Sequence, residues 1–159
     1  MIGFKKTAIM VLLTVGFILG NAVQAADTVN PATSTGNNHK PVVTYGLGDR
    51  GPLGGKVYYV DDSGEHGLEA KTVDEINSLI WKDAVTVASA YNSGWHLPTK
   101  TELKMLYEQR NMVGGFAKDD YWSSTELDSN SAWIQGFVNG DQDRYNKYSK
   151  LSVRSVRAF

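Results

Sequence analysis

Apolar residues recur along this chain with two different periods, and the change from one to the other marks out its elements. Lys56 to Val60 (KVYYV) is a short run of β-branched and aromatic residues, the composition of a strand. Asp61 to Gly67 (DDSGEHG) is dense in turn formers, and Leu68-Glu69-Ala70 returns as the partner strand of a hairpin. The period then lengthens. Trp81, Ala84, Val85 and Ala88 fall at i, i+3, i+4 and i+7, one apolar face of a helix from about Trp81 to Tyr91 that Asn92-Ser93-Gly94 stops. Leu97-Pro98-Thr99-Lys100-Thr101-Glu102 opens a second helix. Thr99 is placed to cap it, Glu102 completes a capping box, and Leu103, Leu106 and Tyr107 form a buried stripe that ends near Gly114-Gly115.

Short strands follow. Tyr121 to Glu126 (YWSSTE) and Ala132 to Val138 (AWIQGFV) are strand-like, and Asn139-Gly140 is the strongest short-range hairpin signal in the chain. Lys150 to Phe159 (KLSVRSVRAF) closes the molecule, setting Leu151 and Val153 against Ser152 and Arg154. The order of strands, two helices and strands predicts an α+β domain, with helices packed on an antiparallel sheet system.

The residues before this domain follow other rules. Lys5 and Lys6 precede an uncharged apolar run from Thr7 to Gly20, and Val23-Gln24-Ala25 puts small residues where a signal peptidase reads them. Residues 1–25 are expected to be a secretory signal, and the protein to be periplasmic or secreted. The apolar run is shorter than the ~20 residues of a bilayer span, so no membrane span is expected after cleavage. Residues 26–44 (ADTVNPATSTGNNHKPVVT) read as a flexible leader that includes His39, and residues 45–159 as the folded domain. Gly48 to Gly55 (GDRGPLGG) begins as Gly-X-Y triplets, but the register breaks at Gly55-Lys56-Val57, so no collagen helix forms and the stretch reads as a turn leading into a strand.

Composition narrows the function. There are no cysteines, so neither disulfides nor thiolate metal sites are available. Without Lys5 and Lys6 the chain has 14 basic and 17 acidic side chains, a net −3, which together with the export signal argues against a nucleic-acid partner. Charge is nevertheless uneven. Between Asp141 and Arg157 stand Arg144, Lys147, Lys150, Arg154 and Arg157 against Asp141 and Asp143, a local +3 on a remainder of −6. These five cations, with Tyr145 and Tyr148 as platforms for sugar rings, are the candidate binding residues for sulfates and carboxylates.

A resemblance accompanies these patterns. Gly48 to Val60 (GDRGPLGGKVYYV), His66 to Ala70 (HGLEA), Gly94 to Thr99 (GWHLPT), Tyr121 to Glu126, Ala132-Trp133 and Val153 to Phe159 (VRSVRAF) resemble, in order, the signature blocks of the bacterial domain family named for the C-terminal domain of the collagen-like adhesin Lcl. The resemblance implies a fold related to C-type lectins and formylglycine-generating enzymes, two helices flanking twisted antiparallel sheets. It also implies a homotrimer that binds sulfated glycosaminoglycans. This chain departs from the adhesin in lacking the long collagen region.

Catalysis and metal binding find little footing. The formylglycine-generating relatives act through cysteine, which is absent, and Ser123-Ser124 lie in no Gly-x-Ser-x-Gly elbow. His66 and His96 are isolated, and the loop with Asp61, Asp62, Ser63 and Glu65 lacks the spacing of an EF-hand. The calcium-dependent sugar site of C-type lectins uses Glu-Pro-Asn or Gln-Pro-Asp together with Trp-Asn-Asp, none of which occurs, and Asp141 and Asp143 read as solvated. Trp81, Trp95, Trp122 and Trp133 read as core. The expectation is a non-enzymatic adhesion module without cofactor or metal, engaging a polyanionic glycan or a cell-surface protein. The alternative is an envelope structural or protein-interaction module with no glycan ligand.

Overall fold

Two three-stranded antiparallel sheets share the burial of the aromatic residues. The computed structural model describes residues 41–159; the expected signal and residues 26–40 of the expected leader lie outside the described residues. Strands β1 (Lys56–Val60), β2 (Gly67–Ala70) and β6 (Val156–Ala158) form one sheet in the order β1-β2-β6, and β3 (Asp120–Glu126), β4 (Ser131–Gly136) and β5 (Gln142–Asn146) form the other. Between them in sequence come α1 (Trp81–Ala90), α2 (Lys100–Glu108) and the single turn α3 (Arg110–Val113). This is the expected α+β class.

Local chemistry accounts for the element ends. The Thr99 side chain accepts from the Glu102 amide and the Glu102 carboxylate accepts from the Thr99 amide, so the capping box forms as the sequence predicts. β4 stops at Gly136, two residues short of the expected end, because the chain turns over residues 137–140, with Gly140 N donating to Gly136 O; the Phe137 amide still donates to Asp119 O, one last bond in the β3 register. In the turn leading into β1, Gly54 has φ +86°, where a side chain is strained, and at Gly55 a Cβ would lie 2.6 Å from Ala70 O and 2.8 Å from Glu69 Oε2. The buried Glu69 carboxylate accepts from the amides of Leu53 (3.2 Å) and Gly55 (2.8 Å). GDRGPLGG is therefore a loop folded around one internal carboxylate.

Alternation along β3 divides the core. Tyr121 packs with Tyr58, Leu103, Leu106, Phe137 and Val156, whereas its neighbour Trp122 packs with Ala84, Ala88, Leu97, Ile134 and Val153. The second sheet thus lies between α1 and α2. Trp122 and Trp95 are core residues, as expected.

The last segment departs from the sequence reading. Only Val156–Ala158 joins a ladder, and residues 151–156 run buried between the sheets. Their backbone bonds with residues 71, 75 and 79 on one side, and with residues 96, 120 and 122 on the other. Arg154, expected to contribute to an exposed basic surface, is 0% exposed. Its guanidinium binds Asp74 Oδ1 at 2.7 Å and donates to the carbonyls of Lys71 (2.8 Å), Gly114 (3.3 Å) and Gly115 (2.5 Å), with the Phe116 ring 4.0 Å away. Asp74 Oδ2 accepts from Tyr121 Oη (2.5 Å) and Ala117 N (3.1 Å). Burial, reinforced by the bond to Asp74, pushes the Tyr121 hydroxyl far above its ordinary pKa, so it remains a donor.

Two predictions follow from these contacts. Arg154→Ala strands the Asp74 carboxylate and three carbonyls, so urea denaturation is expected to show a loss of about 3–5 kcal/mol. Arg154→Lys lacks the planar fork and is expected to recover less than half of it. A loss within error of zero for Arg154→Ala would remove the network from any structural role.

The His96–Glu102 pair sets the pH response. His96 Nε2 lies 3.3 Å from both Glu102 oxygens, and this bond raises the histidine above its ordinary 6.5 against the opposing effect of burial. Burial pushes Glu102 upward, but the bonds from His96 and Thr99 outweigh it and hold the carboxyl below 4.5. A raised histidine stabilises fully below pH 6.5 and loses that contribution as pH rises through its folded-state pKa. A lowered carboxyl stabilises above pH 4.5 and loses that contribution as pH falls through its folded-state pKa. A double-mutant cycle with His96→Gln and Glu102→Gln is expected to give a coupling of roughly 0.5–1 kcal/mol near pH 5.5 that shrinks by pH 8.5. Coupling that grows with pH would contradict the assigned charges.

Candidate functional site

β5 pairs with β4 alone, so it forms an edge of its sheet, and alternation decides which of its side chains share a surface. Gln142, Arg144 and Asn146 face one way; Asp143 and Tyr145 face the other. Register places Arg144 directly opposite Trp133, and cross-strand partners lie on the same face. Lys100, first residue of α2, sets its Nζ 3.0 Å from the centroid of the Trp133 ring. The Lys100 backbone is anchored twice, its amide donating to Thr125 Oγ1 (2.9 Å) and its carbonyl accepting from Gln142 Nε2 (2.9 Å). Lys100, Trp133 and Arg144 therefore form one cationic and aromatic surface.

The other expected site residues are divided among different surroundings. Arg157 is held against Glu69, its Nη1 3.9 Å from Oε1 and its side chain 18% exposed. Lys147 is neutralised, its ammonium bonded to Glu126 Oε2 and Asp128 O and its side chain 11% exposed. With Arg154 buried on Asp74, three of the five expected cations are paired with carboxylates. The reason is that their partners come from β2, β3 and the loop before α1, segments that chain position does not connect to them.

Tyr145 is 45% exposed but faces away from Arg144, with its ring 6.4 Å from Trp122. It borders a hollow with Asp120, Asp141 and Asp143, where burial first, then Asp119 and Asp143, raise the pKa of Asp120. That carboxylate-lined side repels a polyanion, so Tyr145 is taken out of the expected polyanion surface. Arg144, Lys150 and Tyr148 remain exposed, and among the described residues neither Arg144 nor Lys150 forms an ion pair. The local +3 of the sequence becomes two cations beside the exposed Asp141 and Asp143.

Sequence reading missed Lys100 and took Trp133 for core. A two-residue turn at Asn139-Gly140 would set Trp133 opposite Asn146; the observed loop spans residues 137–140, with Gly140 N donating to Gly136 O and Gly136 N to Asp141 O, and this shifts the register by two so that Arg144 lies opposite Trp133. Nothing local marks Lys100, which reaches Trp133 only through packing of α2 on the sheet. A second feature lies at the start of α1. Ile80, Trp81, Lys82, Glu126, Lys147 and Tyr148 border a hollow of about 300 Å³, with Lys147 Nζ 4.7 Å from the Trp81 ring centroid.

The Asp61 loop is organised by itself. Asp61 Oδ1 accepts from Ser63 N, Ser63 Oγ and Gly64 N, the bonds of a turn. Among the described residues no group of three or more His, Asp or Glu side chains is arranged to hold a metal, and no helix is long and apolar enough to cross a membrane.

Comparison with known proteins adds the following. No curated protein matches the sequence. Among solved structures, botrocetin is similar at a TM-score of 0.41 and 12% identity, over 62% of this chain and 93% of that chain. The snake venom toxin convulxin is similar at a TM-score of 0.42 and 11% identity, over 65% and 93%. The model of the Lcl C-terminal domain matches residues 60–157. That span runs from the end of β1 into β6 and contains all three helices, the whole second sheet and Arg154 with its partners. The chain belongs to the Lcl C-terminal domain family.

Proposed function

We propose that this protein is an exported adhesion module that binds a polyanionic glycan, a sulfated glycosaminoglycan being the class that fits, through Arg144 and Lys150 together with Lys100. The observation that carries the reading is the exposed Arg144 beside the lysine-capped Trp133 ring. A guanidinium offers sulfate or carboxylate a two-pronged contact, and the half-buried Trp133 ring beside it offers apolar surface to a sugar. Export is supported by Lys5 and Lys6 ahead of the apolar run from Thr7 to Gly20.

Magnitudes shape the mode of binding. An exposed ion pair contributes about 0.2–1 kcal/mol, so three cations give a weak single site. Useful adhesion then requires several copies acting on one polymer, and the homotrimer implied by the family resemblance supplies them.

A second reading is a protein-interaction module of the envelope. Val73 and Ile76, 67% and 96% exposed on the loop before α1, favour it. Salt separates the two, because charge-driven binding weakens steeply with ionic strength and apolar docking does not.

Heparin-agarose retention is the direct measurement. Arg144→Glu with Lys150→Glu is expected to weaken retention roughly tenfold, and adding Lys100→Glu to abolish it at physiological salt. Lys147→Gln is expected to leave retention near that of the unmodified protein, since Glu126 already neutralises Lys147. Retention unchanged in the triple variant would refute this surface, and salt-independent capture of a protein partner would favour the second reading.

A further inference from the structure

We infer that the hollow between the first turn of α1 and the turn after β5 seats one gluco-configured pyranose ring, recognised by its shape and hydroxyls and not by its sulfates. The inference rests on the glycan reading but not on the charge of the glycan.

The construction of the hollow carries it. Trp81 is fixed at two points, its amide donating to Lys147 O (3.0 Å) and its indole Nε1 donating to Ser123 O (2.8 Å). The ring is half-buried and held in one orientation. Tyr148 sits across the hollow with 78% of its surface exposed, and its amide donates to Asn146 Oδ1 (2.9 Å). A large aromatic left that open loses hydration cost when a flat apolar surface covers it. A hollow of about 300 Å³ lies at the small end of ligand sites, suited to a sugar unit and not to an extended chain.

Polar groups around the rings match a polyol. The Lys147 ammonium has three donors, of which Glu126 Oε2 and Asp128 O take two. One remains. Glu126 keeps its second oxygen as an acceptor, and the Ser129 hydroxyl serves as either. Lys147 and Glu126 cancel each other's charge, so a sulfate gains little here beyond the pull of Lys82 at the border. A pyranose whose hydroxyls are all equatorial has axial C–H groups on both faces. Such a ring lies flat on an aromatic face while its equatorial hydroxyls reach outward to a donor and an acceptor; an axial hydroxyl would leave one of its two faces unable to do so.

The test uses the full chain, labelled with 15N, and follows the Trp81 indole N–H resonance. Cellotriose, a neutral sugar whose ring hydroxyls are all equatorial apart from the anomeric one of its reducing end, is expected to shift that resonance at millimolar concentration, with the same midpoint in low and high salt. Inorganic polyphosphate, an anion without a sugar ring, is expected to leave it in place. Tyr148→Ala is expected to weaken the cellotriose response at least fivefold, with an unchanged urea midpoint showing that the exposed site leaves folding intact. Arg144→Glu with Lys150→Glu is expected to keep the response.

An unmoved Trp81 resonance, a polyphosphate shift equal to that of cellotriose, or an undiminished response in Tyr148→Ala would overturn the inference. If heparin retention depends on Arg144 and Lys150 while Trp81 does not respond, the hollow is lost and the polyanion surface stands. If Trp81 responds and heparin is not retained, the hollow stands and the polyanionic ligand is lost.

Discussion

The buried contact between Arg154 and Asp74 is the constraint on which the rest of the arrangement depends. A guanidinium with no solvent exposure must have its charge balanced and its donors occupied, or the cost of desolvation exceeds what packing returns. Here the balancing carboxylate comes from the loop before α1, and three further acceptors come from that loop and from the end of α3. The same carboxylate receives the Tyr121 hydroxyl from β3. One polar cluster thereby ties together segments that have no ladder in common, in a chain without a disulfide to do so. It also keeps residues 151–156 threaded between the two sheets, which is why Leu151 and Val153 serve one core and Val156 the other.

Charges committed to the interior are unavailable at the surface. Arg154 stabilises the fold, Arg157 stands against the Glu69 carboxylate that organises the GDRGPLGG loop, and Lys147 is bonded into the wall of a hollow. The surface left for recognition is smaller than the sequence count implies, and aromatic residues make up a larger share of it. Trp133 beneath Lys100 and Trp81 beside Lys147 each pair a ring with an ammonium, a contact that stabilises the lysine over the ring and positions both groups.

Rigid placement matters to both surfaces. The Lys100 backbone is bonded to β3 through Thr125 and to β5 through Gln142, and the Trp81 indole is bonded to the β3 backbone. Lys100 and Trp81 are thus each anchored to the second sheet, whose strands β3 and β4 are packed between α1 and α2. Side chains anchored in this way need little reordering to engage a ligand, which lowers the entropic cost of each contact.

The sequence alone determined the elements and their ends. The strand of KVYYV, the apolar face of α1, the capping box at Thr99 and Glu102 and the hairpin at Asn139-Gly140 all rest on interactions within a few residues, so period and composition reveal them. Tertiary structure alone decided which charges remain outside. Arg154 and Asp74 stand 80 positions apart, and Lys147 and Glu126 stand 21 apart, so no local pattern distinguishes a cation destined for a buried carboxylate from one left to solvent. The alternation of Leu151 and Val153 with Ser152 and Arg154 looked like a strand with one wet face. It became wholly buried because acceptors from distant loops met the polar side chains there, and that meeting is a property of packing, not of sequence period.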